Sequence, residues 1–332
     1  MNIVELPTEI IIKILGYLGV EDRQNAALVS KALYKCLREK SLMLDIVLYV
    51  SPEELDLVNK ASRFEHLTAL NVSNQDLDAY SECWSSILVK LVECEIVNSK
   101  ISRKFLHGLL NDISKKTKVR KLNLRNTGVL VGRKRSDNLV FHYVEAIVKL
   151  MEVNFWGTSL LEVQPLRNAF QELQMMETMG RLKVLNLGCI DSLQLIEPQA
   201  FGKVLNKLEV LNIRNSMVTN RQLNCLVDEM ANETNLKVLK MGNNSFINSY
   251  SIQSVQLVIA MNKVEELELW PCEFRLDQML SILSRFGQEG SMLRKLFLDE
   301  MTDRYLSCRF PDVYPDLRTR FSKQIIFTLL PY

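Results

Sequence analysis

Catalysis needs nucleophiles, coupled titratable groups or metal ligands in workable spacing, and this chain offers few. Its three histidines, at 66, 107 and 142, share no metal-ligating motif such as HExxH. Seven cysteines, at 36, 83, 94, 189, 225, 272 and 308, are scattered without CxxC spacing. Cys94 lies between Glu93 and Glu95, and adjacent carboxylates raise a thiol pKa, the opposite of what a nucleophile requires. No glycine loop cradles a phosphate and no GxSxG turn exposes a serine. No catalytic residue, metal or cofactor is therefore expected, and the remaining chemistry is recognition. From Ile113 to Ser136 nine lysines and arginines occur with no acid, Lys121 and Arg125 among them. Arginine pairs with phosphate and carboxylate through two parallel hydrogen bonds, so this stretch suits an acidic or phosphorylated protein segment. Cross-strand pairs with Glu93, Glu95 and Glu152 would account for part of the charge at little energetic gain. Arg133-Lys134-Arg135 also has the form of a weak nuclear import signal. Aromatic interleaving is missing, which argues against nucleic acid.

The elements that position these residues follow one pattern. Leu208-Glu-Val-Leu211-Asn-Ile213, Leu236-Lys-Val-Leu239-Lys-Met241 and Val264-Glu-Glu-Leu267-Glu-Leu269 each read apolar, two variable, apolar, one variable, apolar. That is a short strand entered through a turn, with alternate side chains inward. Copies start at Leu67, Leu91, Val119, Leu150, Leu182, Leu208, Leu236, Val264 and Leu293, at intervals of 24 to 32 residues. Asn or Cys closes most of them (Asn74, Asn98, Asn126, Cys189, Asn215, Asn243, Cys272), where a turn residue is expected to hydrogen-bond the backbone of the stack. Helices follow the strands. Ser102 can cap one with Phe105, Leu106, Leu109, Leu110 and Ile113 inward, and Thr219 another with Leu223, Leu226, Val227 and Met230 inward. The pattern resembles the leucine-rich repeat, and its longer, helix-bearing units resemble the ribonuclease-inhibitor-like subtype. The resemblance implies an α/β solenoid, a horseshoe of about nine repeats over residues 43–300. A cap over residues 301–332 would close it, with Ile325–Leu330 as a last strand.

In such a stack the inward leucines fix which positions face out. One outward column reads Asn71, Glu95, Asn123, Asn154, Asn186, Asn212, Lys240, Glu268 and Phe297. The next contains Arg125, Trp156, Gly188, Arg214, Gly242 and Trp270. Tryptophan and arginine are the side chains most enriched at interface hot spots. Lys121, Arg125, Trp156, Arg214 and Trp270 are accordingly the candidate substrate-binding residues.

Composition sets limits on partners. Lys and Arg total 41 against 39 for Asp and Glu, a net charge of +2, so nothing global points to nucleic acid or a membrane surface. No apolar run approaches the ~18 residues of a membrane span. Glu5-Leu6-Pro7 interrupts any secretory signal. Unpaired cysteines then read as reduced thiols in the cytoplasm or nucleus.

Residues 1–42 depart from the repeat. Pro7 suits a first helical turn and Glu9 suits its dipole. Ile10, Ile11, Ile14, Leu15 and Leu18 follow at helical spacing on one broad face. Asp22 and Ser30 can cap two further helices. Leu6-Pro7-Thr8-Glu9-Ile10, Ile14-Leu15, Leu18, Asp22 and Val29-Ser30-Lys31 resemble the F-box. Arg23 and Leu33 depart from the family's usual leucine and its usual Trp or Phe. Three short helices in about 40 residues bury too little surface to stand alone, so their apolar stripe needs a cover. The resemblance implies a Skp-type adaptor, and through it a cullin, with Leu6, Pro7, Ile10, Ile14, Leu18 and Val29 at the contact. It implies a non-catalytic substrate-recognition subunit of a ubiquitin ligase. The alternative is a repeat-based binding protein outside any ligase, its N-terminal helices merely capping the array.

Overall fold

The structure is a computed structural model. It describes residues 6–17, 25–26, 28–36, 47–49, 69–71, 91–115, 118–130, 144–158, 163–176, 179–244, 254–269, 276–285, 290–322 and 325–328. The chain forms two compact units, residues 1–123 with 127–132, and residues 124–126 with 133–332.

The first unit opens with two helices, α1 (Thr8–Gly16) and α2 (Lys31–Cys36). Pro7 precedes α1, and its carbonyl accepts from the amides of Ile10 and Ile11 at 3.0 and 3.1 Å. The Ser30 hydroxyl accepts from the Ala32 amide at 3.1 Å and so starts α2. Ile11, Leu15, Leu33 and Cys36 form a small buried core, with Leu6, Ile12 and Ala26 packed on it. Leu33, where the F-box pattern favours an aromatic ring, is one of these core residues. Four strands follow, β1 (Val47–Tyr49), β2 (Ala69–Asn71), β3 (Glu93–Glu95) and β5 (Lys121–Asn123). All pair in parallel, stacking Leu48, Leu70, Cys94 and Leu122 in one register. Cys94 replaces a leucine and is buried like one. A second small sheet pairs β4 (Lys100–Ser102) with β6 (Gly128–Leu130). Ser102 then caps α3 (Arg103–Lys115), accepting from the Phe105 amide at 3.0 Å. The inward residues of α3, from Phe105 to Ile113, are those its spacing predicts.

The second unit repeats the theme more regularly. Its strands are β7 (Glu152–Asn154), β8 (Val184–Asn186), β9 (Val210–Asn212), β10 (Val238–Lys240), β11 (Glu266–Glu268), β12 (Lys295–Asp299) and β13 (Ile325–Thr328). All are parallel, with Val153, Leu185, Leu211, Leu239, Leu267, Leu296 and Ile325 in register. Helices α4 (Val163–Met175), α5 (Pro198–Leu205), α6 (Asn220–Asn232), α7 (Ser254–Met261) and α8 (Leu276–Ser284) return the chain between strands. Helix α6 starts with a reciprocal cap between Thr219 and Gln222. The buried Gln222 amide also donates to the carbonyls of Leu193 and Ile196, at 2.6 and 2.8 Å, tying α6 to the preceding repeat. Where the leucine pattern lapses, α9 (Glu300–Arg309) and α10 (Tyr314–Arg320) lead into β13, a further parallel strand. The buried Tyr314 hydroxyl donates to Asp303 at 2.8 Å and fixes that connection. Among the described residues no helix is long and apolar enough to cross a membrane. The architecture is an α/β solenoid of stacked strand-and-helix repeats, with a small helical module at its N-terminal end in sequence.

The turn after each strand differs from expectation by one residue. Asn98, Asn126, Cys189, Asn215 and Asn243 have left-handed backbone, with φ between 52 and 57°. Asparagine and glycine tolerate that conformation best, and Gly157 takes the equivalent place at φ 63°. The residue that bonds the neighbouring backbone comes next. Thr127 donates to the Ile96 carbonyl at 2.5 Å, Ser216 to Leu187 at 2.7 Å, and Asn244 to Ile213 at 2.8 Å. Asn74 and Cys272 lie outside the described residues.

Candidate protein-binding surfaces

The helical module divides its apolar residues between two faces. Ile11 and Leu15, four apart, turn into the module's own core. The broad stripe read from the sequence is therefore split, and only part of it faces solvent. Pro7 is exposed, Ile10 is 45% exposed and Val29 is 79% exposed. Leu6 and Ile14 are half-buried, Leu6 against the core, and Leu18 lies outside the described residues. Leu28, which the motif comparison passed over, is 86% exposed beside Val29.

The basic stretch is partly neutralised within the first unit. Lys121 pairs with its cross-strand neighbour Glu93 at 3.1 Å, both side chains well exposed. Such a pair contributes roughly 0.2–1 kcal/mol. Glu95 accepts from the Asn123 amide at 3.3 Å. Lys116 and Arg133–Arg135 lie outside the described residues, while Arg125, in the second unit, is exposed.

In the second unit the alternation of β7 to β10 places inward leucine or valine between two outward positions. One outward row is Val184, Val210 and Val238, half-buried and adjacent across three strands. The parallel row is Asn154, Asn186, Asn212 and Lys240. Each asparagine turns its Oδ1 back to accept a backbone amide two residues on, from Trp156, Gly188 and Arg214 at 3.0, 3.1 and 3.2 Å. The Nδ2 groups are thereby left outward, and among the described residues none of the three has a partner.

Trp156 is half-buried and lies against the next repeat at Gly188, where a Cβ would overlap its ring. Glycine at that place lets the indole lie flat on the sheet. Arg214 does not stand free. Its Nε and Nη2 both meet the Glu268 carboxylate, two repeats along, and Glu268 is 4% exposed. Gly242, at the same phase of the intervening repeat, presents no side chain between them. Trp270 lies outside the described residues. The guanidinium thus takes the acid that the strand register sets beside Lys240. Among the described residues the half-buried Lys240 ammonium has no partner.

Four further lysines of this unit have partners. Glu209 holds Lys183 at 2.6 Å and Lys237 at 3.0 Å, and the Lys183 hydrogen bond, then that from Lys237, holds its carboxyl below the usual range. Lys207 and Lys263 reach back to cap the C-termini of α4 and α6, through the carbonyls of Met176 and of Ala231 and Asn232. A cavity of about 380 Å³ lies among Met179, Lys183, Lys207, Glu209 and Lys237, so its lysines are all paired. Burial, with Glu95 second, pushes the Cys94 thiol up to about 12. Among the described residues no cluster of His, Cys, Asp and Glu could hold a metal.

The F-box-like family model matches residues 3–49. Among solved structures the chain is similar to an internalin from Listeria monocytogenes, with 15% identity, a TM-score of 0.31, and coverage of 84% of this chain and 88% of that one. No curated protein matches the sequence.

Proposed function

We infer that the protein is a substrate-recognition subunit of a Skp–cullin–F-box ubiquitin ligase, the F-box-like module docking to the adaptor and the repeat sheet holding a protein substrate. The observation that carries this reading is the solvent-facing apolar set on a module matched to the F-box-like family: Ile10, Leu28 and Val29, with Pro7. Burying a large aliphatic side chain is worth roughly 1.5–3 kcal/mol, and no fold of about 40 residues leaves several of them in water without cost. Leu6, Ile14 and Leu18 complete the proposed contact. The subunit performs no chemistry. It raises the local concentration of substrate lysines beside the ubiquitin-charged enzyme. Lys121, Arg125, Trp156, Arg214 and Trp270 remain candidate substrate contacts, with Arg214 acting through its Glu268 pair rather than as a free cation.

The test is co-purification of the full chain with the adaptor and cullin. Ile10→Asp with Val29→Asp removes two exposed anchors without touching Ile11 or Leu15, so the module keeps its core. Adaptor capture is expected to fall by at least two orders of magnitude. Capture undiminished by both substitutions, or no capture by the parent chain, leaves the non-ligase binding protein as the reading.

A further inference from the structure

The outward face of β7 to β10 has a chemical polarity that narrows what it binds. Its polar row is made of donors. Three asparagine oxygens are consumed by backbone amides, which leaves Nδ2 of Asn154, Asn186 and Asn212 pointing out. The fourth member, Lys240, has donors only. Beside the row run Glu152 and then Val184, Val210 and Val238. Arg214, Lys240 and Glu268 together carry one net positive charge, and it resides on Lys240 because Arg214 is closed on Glu268.

We propose that this face binds an extended protein segment carrying one unphosphorylated Asp or Glu, whose carboxylate pairs with Lys240. The segment's carbonyl oxygens accept from the asparagine row, and an apolar side chain covers the valines. The proposal rests on reading the sheet as the substrate-holding part of the molecule. Dimensions match: four strands at about 4.8 Å spacing set the row over about 14 Å, the length of about four extended residues. Charge decides between the two acidic chemistries. A phosphate brings −1.5 to −2 against a single net positive charge, with the Glu268 carboxylate next in register. The guanidinium fork beside Lys240, that of Arg214, is the group best suited to phosphate and is already occupied by Glu268. A carboxylate balances the site and a phosphate over-charges it.

The experiment selects from a random twelve-residue peptide library displayed on phage, using the full chain with its N-terminal module intact, and then measures synthetic peptides by fluorescence polarisation. Enrichment of one Asp or Glu flanked by β-branched or aliphatic residues is expected. Lys240→Met, and Glu→Gln in the peptide, should each weaken binding about tenfold, and combining them should cost no more than either alone. Lys240→Glu should redirect selection to Lys or Arg. Phosphoserine in place of the acidic residue should bind no tighter than the acid. A library with no acidic preference, no selected peptide, equal binding to Lys240→Met, or tighter binding of phosphoserine would each overturn the proposal. Should Lys240→Met fail to fold, judged by far-ultraviolet circular dichroism, Lys240→Gln takes its place in the same measurements. Adaptor capture is a separate readout: its loss beside an intact acidic preference removes the ligase role alone, and the reverse result removes this proposal alone.

Discussion

Asn244 ties two repeats together through its side chain, and replacing it measures how the binding face is held. The side chain is 1% exposed. Its Oδ1 accepts from the amides of Ser216 and Val218 at 3.0 and 3.2 Å, in the preceding repeat. Its Nδ2 donates to the carbonyls of Ile213 and Met241 at 2.8 and 2.6 Å. Asn244→Ala removes these four bonds and a longer fifth, from Nδ2 to the Gly242 carbonyl at 3.5 Å, and leaves the two amides and the Ile213 and Met241 carbonyls without them. At about 1 kcal/mol per bond the cost is about 4 kcal/mol, at the upper end for single substitutions. Asn243 is exposed, with φ 56°. Asn243→Ala removes the Nδ2 bond to the Asn215 side chain and puts alanine, which tolerates left-handed backbone less well than asparagine, at that place for about 1 kcal/mol, and Asn243→Gly, which suits the backbone but loses the same exposed bond, should be neutral within about 0.5 kcal/mol. Urea unfolding followed by circular dichroism gives the three midpoints. Hydrogen exchange at the Ser216 and Val218 amides locates the damage. Equal midpoints for the two alanine variants, or unchanged protection at those amides, would refute the one-residue shift of the bonding ladder.

Two further outcomes follow from the titrating groups. Glu209 has its folded pKa below the ordinary 4.5 through Lys183 first and Lys237 second, so its contribution to stability is present above the ordinary carboxylate range and is lost as pH falls through the depressed value. Carbon-detected NMR titration should place its midpoint below 4.5, and Lys183→Met should return it further than Lys237→Met; a midpoint at or above 4.5 in the parent contradicts the ladder. Cys94, with its thiol pushed up to about 12 by burial, should resist iodoacetamide at pH 8 in the folded protein while the exposed Cys308 reacts. Mass-spectrometric labelling of Cys94 at the rate of Cys308 would show that its repeat does not stay closed.

The stack was legible because strand and turn impose a spacing that does not depend on which apolar residue fills it. Leu, Val and Cys occupy equivalent inward places at Leu122, Val153 and Cys94. The bonding residue of the turn was harder to see. Asparagine at 98, 126, 215 and 243 records a demand for left-handed φ, which is a backbone property. The place next to it holds the small polar side chains Ser99, Thr127, Thr158, Ser216 and Asn244, and Ile190 after Cys189, all buried. A position filled by four residue types leaves a weaker trace than one filled mostly by asparagine. The last strand was foreseeable from Ile325 to Thr328, although Phe321 stands near the place of its opening leucine. In the helical module, helical spacing alone joined Ile10, Ile11, Ile14 and Leu15 into one face, because it does not show where α2 packs.

The candidate side chains stand in outward columns of the sequence pattern, but their charge pairing does not show there, for a reason that lies in the geometry of stacked repeats. Register makes neighbours of residues one repeat apart and sets Glu268 beside Lys240. Arg214 takes that acid because an arginine is long enough to pass a glycine and reach the second repeat along, 54 residues away. The consequence extends beyond the pair. Had Lys240 taken Glu268, the face would present a free guanidinium, and a phosphate would be its natural ligand. With Arg214 on Glu268, the free group is a single ammonium next to amide donors whose oxygens are already committed to the turn. An asparagine in that strand position shows solvent its N–H because the turn demands its oxygen, so three successive asparagines make a donor row without any charge being placed there. Lys240 adds the one charge, and a carboxylate is the acceptor that matches both the row and the charge.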